Sequence, residues 1–311
     1  MELKLSQKTL SGTISEIWQQ LLQVPANYTF KPRVELIKTY EFTDYTAELY
    51  LQANGPGTVQ RVIKTVPRDF SAPLPAVAAP FYYPEAMLGF DPETMAVEER
   101  FAEIAMLTHL AQRGFIVISA EAYHLTYLKS DLPRLEWARW QQAGDALTLD
   151  YPDWCGIGKL AADTRLLLDM LESDPRVDKE RIGIAGHSLG GKMAYYTGCI
   201  DPRVKVIMAS DFGINYDQSN WHDSWYWGDK VKLLQAAGLE QWQLLDIANG
   251  KPFMLLAGQF DNMASFDSMQ RSGAYPAGSE KLRIINHATG HRPPQDVLQQ
   301  GYDFLQKYLQ K

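Results

Sequence analysis

Apolar and polar residues alternate along RVELIKTYEF (33–42), TAELYLQA (46–53) and VQRVIKTVP (59–67), the period of two expected of half-buried strands. The turn signal NGPG separates the last two, so the three read as antiparallel neighbours. Before them, SGTISEIWQQLLQ (11–23) has the spacing of a short amphipathic helix. Beyond residue 70 the rhythm changes. LPAVAAPFYY (74–83) is an almost unbroken apolar run, as a strand covered on both faces requires. A helix is expected from about 95 to 112, closed by Gly114. Strands GFIVISAEA (114–122), RIGIAG (181–186), VKVIMAS (204–210), PFMLLAG (252–258) and KLRIINH (281–287) follow, interleaved with helices over 159–174, 189–200 and 294–311.

This strand–helix alternation with short connections predicts an α/β architecture, a doubly wound and mostly parallel sheet with helices on both faces. In such sheets reactive groups collect at the carboxyl ends of the strands. Two stretches break the rhythm, 123–158 and 211–251. Long inserts in a compact domain are usually functional, and both are rich in aromatics: Trp137, Trp140, Tyr151 and Trp154 in the first, Trp221, Trp225, Tyr226 and Trp227 in the second. One domain is expected over 1–311. Residues 1–70 would supply a helix and edge strands, and the two inserts a cap.

The candidate chemistry centres on IAGHSLGGKM (184–193), which places Gly186-His187-Ser188-Leu189-Gly190 between a strand and a helix. A G-x-S-x-G turn in that context lifts the serine onto a strained, exposed tip beside a helix N-terminus. The N–H of Leu189 can then face an oxyanion. A serine needs a base and a group that orients the base. His291, in NHATGHRPP after the last strand, is the expected base. His287 is at the strand end, where it would pack; His187 would pack or line the pocket. His124 and His222 lie in the inserts, and His109 faces along a helix. For the acid, Asp261 in LLAGQFDNMAS is favoured, Asp211 in MASDFG competes, and Asp267 falls in the following helix. The resulting order is Ser188, Asp261, His291.

The elbow GHSLGG, the loop AGQFDN and the loop ATGHRPP resemble the α/β-hydrolase superfamily over roughly residues 70–311. The segment YPDWCGIGKLAADTRLLLDMLESDPRVDKERIGIAGHSLGGKMA is most similar to the dienelactone hydrolase, acetyl xylan esterase and prolyl-oligopeptidase-like branch. That resemblance implies a nucleophile at Ser188, a base at His291 and an acid at Asp261. The chain departs from many esterases in lacking a His-Gly-Gly stretch after the third strand. In its place stands APFYYPEAMLG, so the second oxyanion donor is expected at a backbone N–H near Phe81–Tyr83 or at a tyrosine hydroxyl, with Tyr82 preferred. Serine replaces the cysteine of dienelactone hydrolases proper, and no propeller fits in the first 70 residues.

Composition narrows the function further. The chain has 311 residues, 46% of them hydrophobic, and a net charge of −7. It has no long basic run to attract nucleic acid. Its two cysteines, Cys155 and Cys199, are too few for a disulfide framework. Neither a signal peptide nor a spanning segment is legible, so a cytoplasmic protein without a membrane partner is expected. No motif for a metal or an organic cofactor appears, and none is expected. The expected reaction is hydrolysis of a short-acyl ester, with a carbohydrate or aryl alcohol, through an acyl-enzyme. Tyr83, His187, Trp221 and Trp225 are the expected substrate contacts. A serine peptidase or amidase, which would need a glutamate pair among Glu85, Glu98, Glu99 and Glu121, is the first alternative; a non-catalytic ligand-binding protein is the second. An exposed sheet edge also leaves room for a homo-oligomer.

Overall fold

A computed structural model describes residues 1–310. The chain begins with a two-stranded ribbon, β1 (Glu2–Lys4) and β2 (Thr9–Ser11), too short to be read from its period. Helix α1 (Ile14–Leu22) starts at a capping box in which Thr13 and Glu16 satisfy each other's backbone N–H groups. It buries Ile17, Trp18, Leu21 and Leu22. The alternating segments form β3 (Val34–Glu41), β4 (Tyr45–Gly55) and β5 (Thr58–Pro67), paired antiparallel in sequence order.

The expected long strand 74–83 is shorter: β6 spans Leu74–Ala78. The chain then turns away through Pro80 into α2 (Pro84–Leu88). The expected helix over 95–112 is reduced to a 3-10 turn at Ala102–Ile104 and α3 (Met106–Ala111). At the start of that range Met95 has φ 60° and Val97 pairs with Phe90 in an antiparallel bridge, so the chain is not helical there. Strand β7 (Ile116–Ala120) is fully buried. The first insert holds α4 (Tyr123–Thr126) and α5 (Trp137–Asp150), and α6 (Gly156–Ser173) follows.

Strand β8 (Val177–His187) leads through the elbow into α7 (Leu189–Ile200), and β9 (Val204–Ser210) comes next. The second insert carries α8 (Lys230–Ala236) and α9 (Leu244–Ile247). The chain closes with β10 (Phe253–Ala257), α10 (Met263–Met269), β11 (Leu282–Asn286) and α11 (Gln295–Leu309).

The main sheet has nine strands in the order β11-β10-β9-β8-β6-β7-β5-β4-β3. The six strands from β11 to β7 run parallel, and β5 joins β7 antiparallel, so the N-terminal strands extend one edge. The central strands β6, β7 and β10 and the second half of β8 are buried almost completely, as helices covering both faces require. Strands β8, β9 and β10 are neighbours, so the loops at their carboxyl ends converge. Among the described residues no helix is long and apolar enough to cross a membrane.

Candidate active site

Ser188 sits at the turn between β8 and α7 with φ 55° and ψ −115°, a backbone conformation that a non-glycine residue holds only under tertiary constraint. The constraint is visible. The Ser188 N–H donates to the Ser210 carbonyl at 2.8 Å. A Cβ on Gly186 would meet the Gly190 carbonyl oxygen at 2.1 Å, and one on Gly190 would meet the Pro80 carbonyl oxygen at 2.2 Å. Only glycine lets the strand, the elbow and the 80–83 loop approach so closely. The N–H of Leu189 opens α7, where an N–H has no acceptor within its own helix.

His291 Nε2 lies 2.8 Å from Ser188 Oγ, and its Nδ1 lies 2.6 Å from Asp211 Oδ2. The histidine loop reaches this position past Gly258, where a Cβ would collide with the Gly290 carbonyl oxygen at 2.2 Å. Phe260 packs edge-on against the imidazole, with ring centres 4.8 Å apart. Asp261, the favoured acid, is not the partner of His291; Asp211 is. Asp261 is fully buried, and its carboxylate accepts the N–H groups of Phe212, Gly213 and Ile214 and the Ser265 hydroxyl. Asp211 returns the arrangement, accepting the N–H groups of Gly258, Gln259, Phe260 and Asp261. Each aspartate thus holds the loop that carries the other, and only Asp211 also reaches the imidazole, through the Oδ2 that accepts the Gln259 N–H. Asp211 has φ 42°, an uncommon conformation that aspartate tolerates better than most residues. Asp267 is exposed on α10 and takes no part.

The electrostatics follow the same division. Burial alone would raise the Asp211 pKa, but the hydrogen bond to His291 and the N–H groups of Asp261 and Phe260 outweigh it, keeping the carboxyl below its ordinary value. Burial raises the Asp261 pKa despite its N–H donors, and the Asp211 charge adds to that shift. His187, stacked obliquely on His291 at 4.7 Å, is buried and hydrogen-bonded through Nδ1 to Ser210 Oγ. Burial, and then the neighbouring His291, push its pKa well below the ordinary histidine value. A neutral His187 adds no second positive charge beside the base.

Burial raises the pKa of the Tyr82 hydroxyl, against the lowering effect of the nearby Ser188 side chain, so it remains a proton donor. Its ring stacks on Trp140 at 4.8 Å and 20°. Tyr83 points elsewhere: its hydroxyl donates to Glu98, and the Arg134 guanidinium stands over its ring. Trp221, Trp225 and Trp227 are buried, with at most 2% exposure, so they do not present an open aromatic wall. They pin the second insert to the body. Trp221 Nε1 donates to the Gly213 carbonyl and Trp227 Nε1 to the Tyr196 hydroxyl, and Trp225 packs edge-on against Trp140. Placing these rings over the substrate fails because indole surface this large gains more from a packed core than from water. Among the other histidines, His109 bonds Tyr302 and His287 bonds Thr289. His124 is buried between Tyr123 and Trp140, and burial pushes its pKa down to about 3.

One buried residue had no role in the sequence reading. Lys192, on α7 four residues after the serine, donates to the Phe212 carbonyl at 2.8 Å and to Ser219 Oγ at 2.7 Å, beneath the rings of Trp221 and Tyr226. Its signal was a lone cation in the apolar stretch LGGKMAYY. Burial lowers its pKa to about 7, against the pull of Asp261, Asp223 and Asp211. The unfolded chain keeps that proton up to about 10.5, the ordinary value for lysine. Between those values the unfolded state binds more protons, so the Lys192 contribution to stability rises with pH. The unfolding free energy of the parent minus that of Lys192→Met is therefore expected to increase from pH 7 to pH 9.5 in urea denaturation. A difference that stays constant across that range would contradict the assignment.

The sheet, the elbow and the converging loops together define an α/β-hydrolase. The chain belongs to the Abhydrolase family, whose model matches residues 6–219, more than half of its length. It is 22% identical to the "Putative hydrolase YtaP" of Bacillus subtilis (strain 168) over 165 residues, which are 49% of this chain and 54% of that protein. The match therefore spans about half the length of that relative. In fold the chain is similar to a glucuronoyl esterase from Solibacter usitatus, with a TM-score of 0.69 and 13% identity over 93% of this chain and 91% of the other. It is also similar to acetyl xylan esterase 1 from Thermoanaerobacterium sp. JW/SL YS485, with a TM-score of 0.60 and 13% identity over 95% and 93%.

Proposed function

We propose that the chain is a serine carboxylesterase for short-acyl esters, with acetyl esters of a carbohydrate or aryl alcohol foremost. It would act through Ser188, His291 and Asp211. The observation that carries this reading is the unbroken hydrogen-bond chain from Ser188 Oγ through the imidazole to Asp211. In the reaction, Ser188 Oγ attacks the ester carbonyl and its proton passes to His291 Nε2. Asp211 accepts the Nδ1–H and stabilises the imidazolium that forms. The Leu189 N–H and the Tyr82 hydroxyl stabilise the oxyanion, and each such donor is worth roughly 3 kcal/mol of barrier. As the carbonyl reforms, the ester C–O bond breaks and His291 Nε2 gives its proton to the leaving alkoxide. Water then repeats the cycle on the acyl-enzyme and releases the acid.

Two further observations support the reading. Structures of similar fold carry the names acetyl xylan esterase and glucuronoyl esterase. The carboxylates a peptidase would use to bind a free amine are engaged already: Glu85 and Glu121 pair with Arg61, and Glu98 receives the Tyr83 hydroxyl. The test is hydrolysis of p-nitrophenyl esters from acetyl to decanoyl, together with labelling of the folded protein by a fluorophosphonate probe. Acetyl and butyryl esters are expected to be cleaved fastest, and Ser188 to carry the label. Equal rates on acetyl and decanoyl esters would remove the short-acyl part. An unlabelled Ser188 would remove the nucleophile.

A further inference from the structure

Most guanidinium groups in this chain are held by acceptors. Arg61 pairs with Glu85 and Glu121, Arg113 with Asp303, Arg176 with Glu48 and Asp174, and Arg203 with Asp201 and Asp169. Four are not, Arg100, Arg271, Arg283 and Arg292, and of these Arg100 and Arg292 belong to the segments that adjoin Tyr82 and His291. Both are exposed, and among the described residues neither forms a hydrogen bond or an ion pair. Arg100 stands over the Phe101 ring at 5.4 Å. That ring packs against Phe81 at 5.1 Å and lies 6.2 Å from the ring of Tyr82. Arg292 follows the base directly in sequence. The two segments touch, because the Gln295 side chain donates to the Glu103 carbonyl. Two free guanidinium groups therefore lie on adjoining segments, with the charge of Arg100 felt at Tyr82 and that of Arg292 at His187, in a chain whose net charge is −7.

We infer that Arg100 and Arg292 form an anion subsite at the mouth of the Ser188 centre, and that the preferred substrate is an acyl ester whose alcohol part carries a carboxylate, such as an acetylated acidic sugar. The inference rests on the esterase reading above and adds the charge of the leaving group. The alcohol side is assigned because His291 Nε2 must face the leaving oxygen and Arg292 follows His291 directly in the chain. A guanidinium matches a carboxylate through two parallel N–H donors, which a lysine cannot reproduce. A contact remote from the reacting atoms that binds substrate and transition state equally acts through KM.

The experiment compares 4-acetoxybenzoate with 4-acetoxybenzamide, which differ in charge but not in the acetyl group. The parent is expected to favour the benzoate in kcat/KM. In Arg100→Gln and Arg292→Gln the benzoate-to-benzamide ratio should fall by about threefold each, and by about tenfold in the double variant, mainly through KM. Arg→Lys variants should recover part of the ratio. A parent that favours the benzamide, or a ratio unchanged in the double variant, would overturn the anion subsite while leaving the esterase reading in place. Binding of D-glucuronate by ligand-observed NMR needs no turnover. It is expected for the parent and lost in the double variant, and D-glucose should not bind. Glucuronate binding without hydrolysis of either ester would overturn the esterase reading and keep the subsite. Glucuronate binding retained by the double variant would overturn the subsite.

Discussion

Ser188→Ala is expected to lower kcat/KM for p-nitrophenyl acetate by on the order of 10⁴-fold or more. The loss should fall on kcat, because the hydroxyl is needed for bond formation rather than for holding the ester. The strained backbone at this position is set by the glycines around it and by the Ser210 carbonyl, not by the hydroxyl. Circular dichroism and the urea midpoint should therefore match the parent to within about 0.5 kcal/mol. A variant that keeps a tenth of the activity would show that another residue attacks the carbonyl.

The second large effect separates the two aspartates. Asp211→Asn is expected to reduce kcat by about 10⁴-fold, because an amide cannot hold the imidazole in the tautomer that accepts a proton from serine. Asp261→Asn should act on stability instead. One of its two side-chain positions becomes an N–H₂ facing the buried N–H groups of Phe212, Gly213 or Ile214, at a cost of about 1–3 kcal/mol. Its kcat, measured well below the melting temperature, should change far less than that of Asp211→Asn. The reverse pattern would restore Asp261 as the acid and require the histidine loop to move in solution.

The comparison of these two residues also shows how far the sequence could be read. The pairing of Ser188 with His291 was legible because each depends on local signals. G-x-S-x-G between a strand and a helix is a backbone requirement, and His291 lies in a Gly-His-Arg-Pro loop after the last strand. The acid was not settled, because both aspartates follow strands that end at the same edge of the sheet. Only the crossing of their hydrogen bonds in space distinguishes them. The sheet itself was legible from alternation and apolar runs. The helix expected over 95–112 failed at its start, where Met95 has φ 60° and Val97 bridges to Phe90. The aromatic insert was misread for a different reason. NWHDSWYWGD contains as much apolar surface as a binding wall would, and nothing in one sequence says whether that surface faces substrate or the nucleophile helix.

The crossed aspartates have a mechanical consequence. Residues 211–214 and 258–261 exchange seven backbone donors through two carboxylates, so neither loop can shift without breaking the other's anchors. They behave as one latch. Past Ile214 the second insert is fastened separately, by Trp221, Trp225 and Trp227 packed into the body. A substitution beyond Ile214 is therefore expected to leave these seven anchors, and the Asp211–His291 contact they carry, in place.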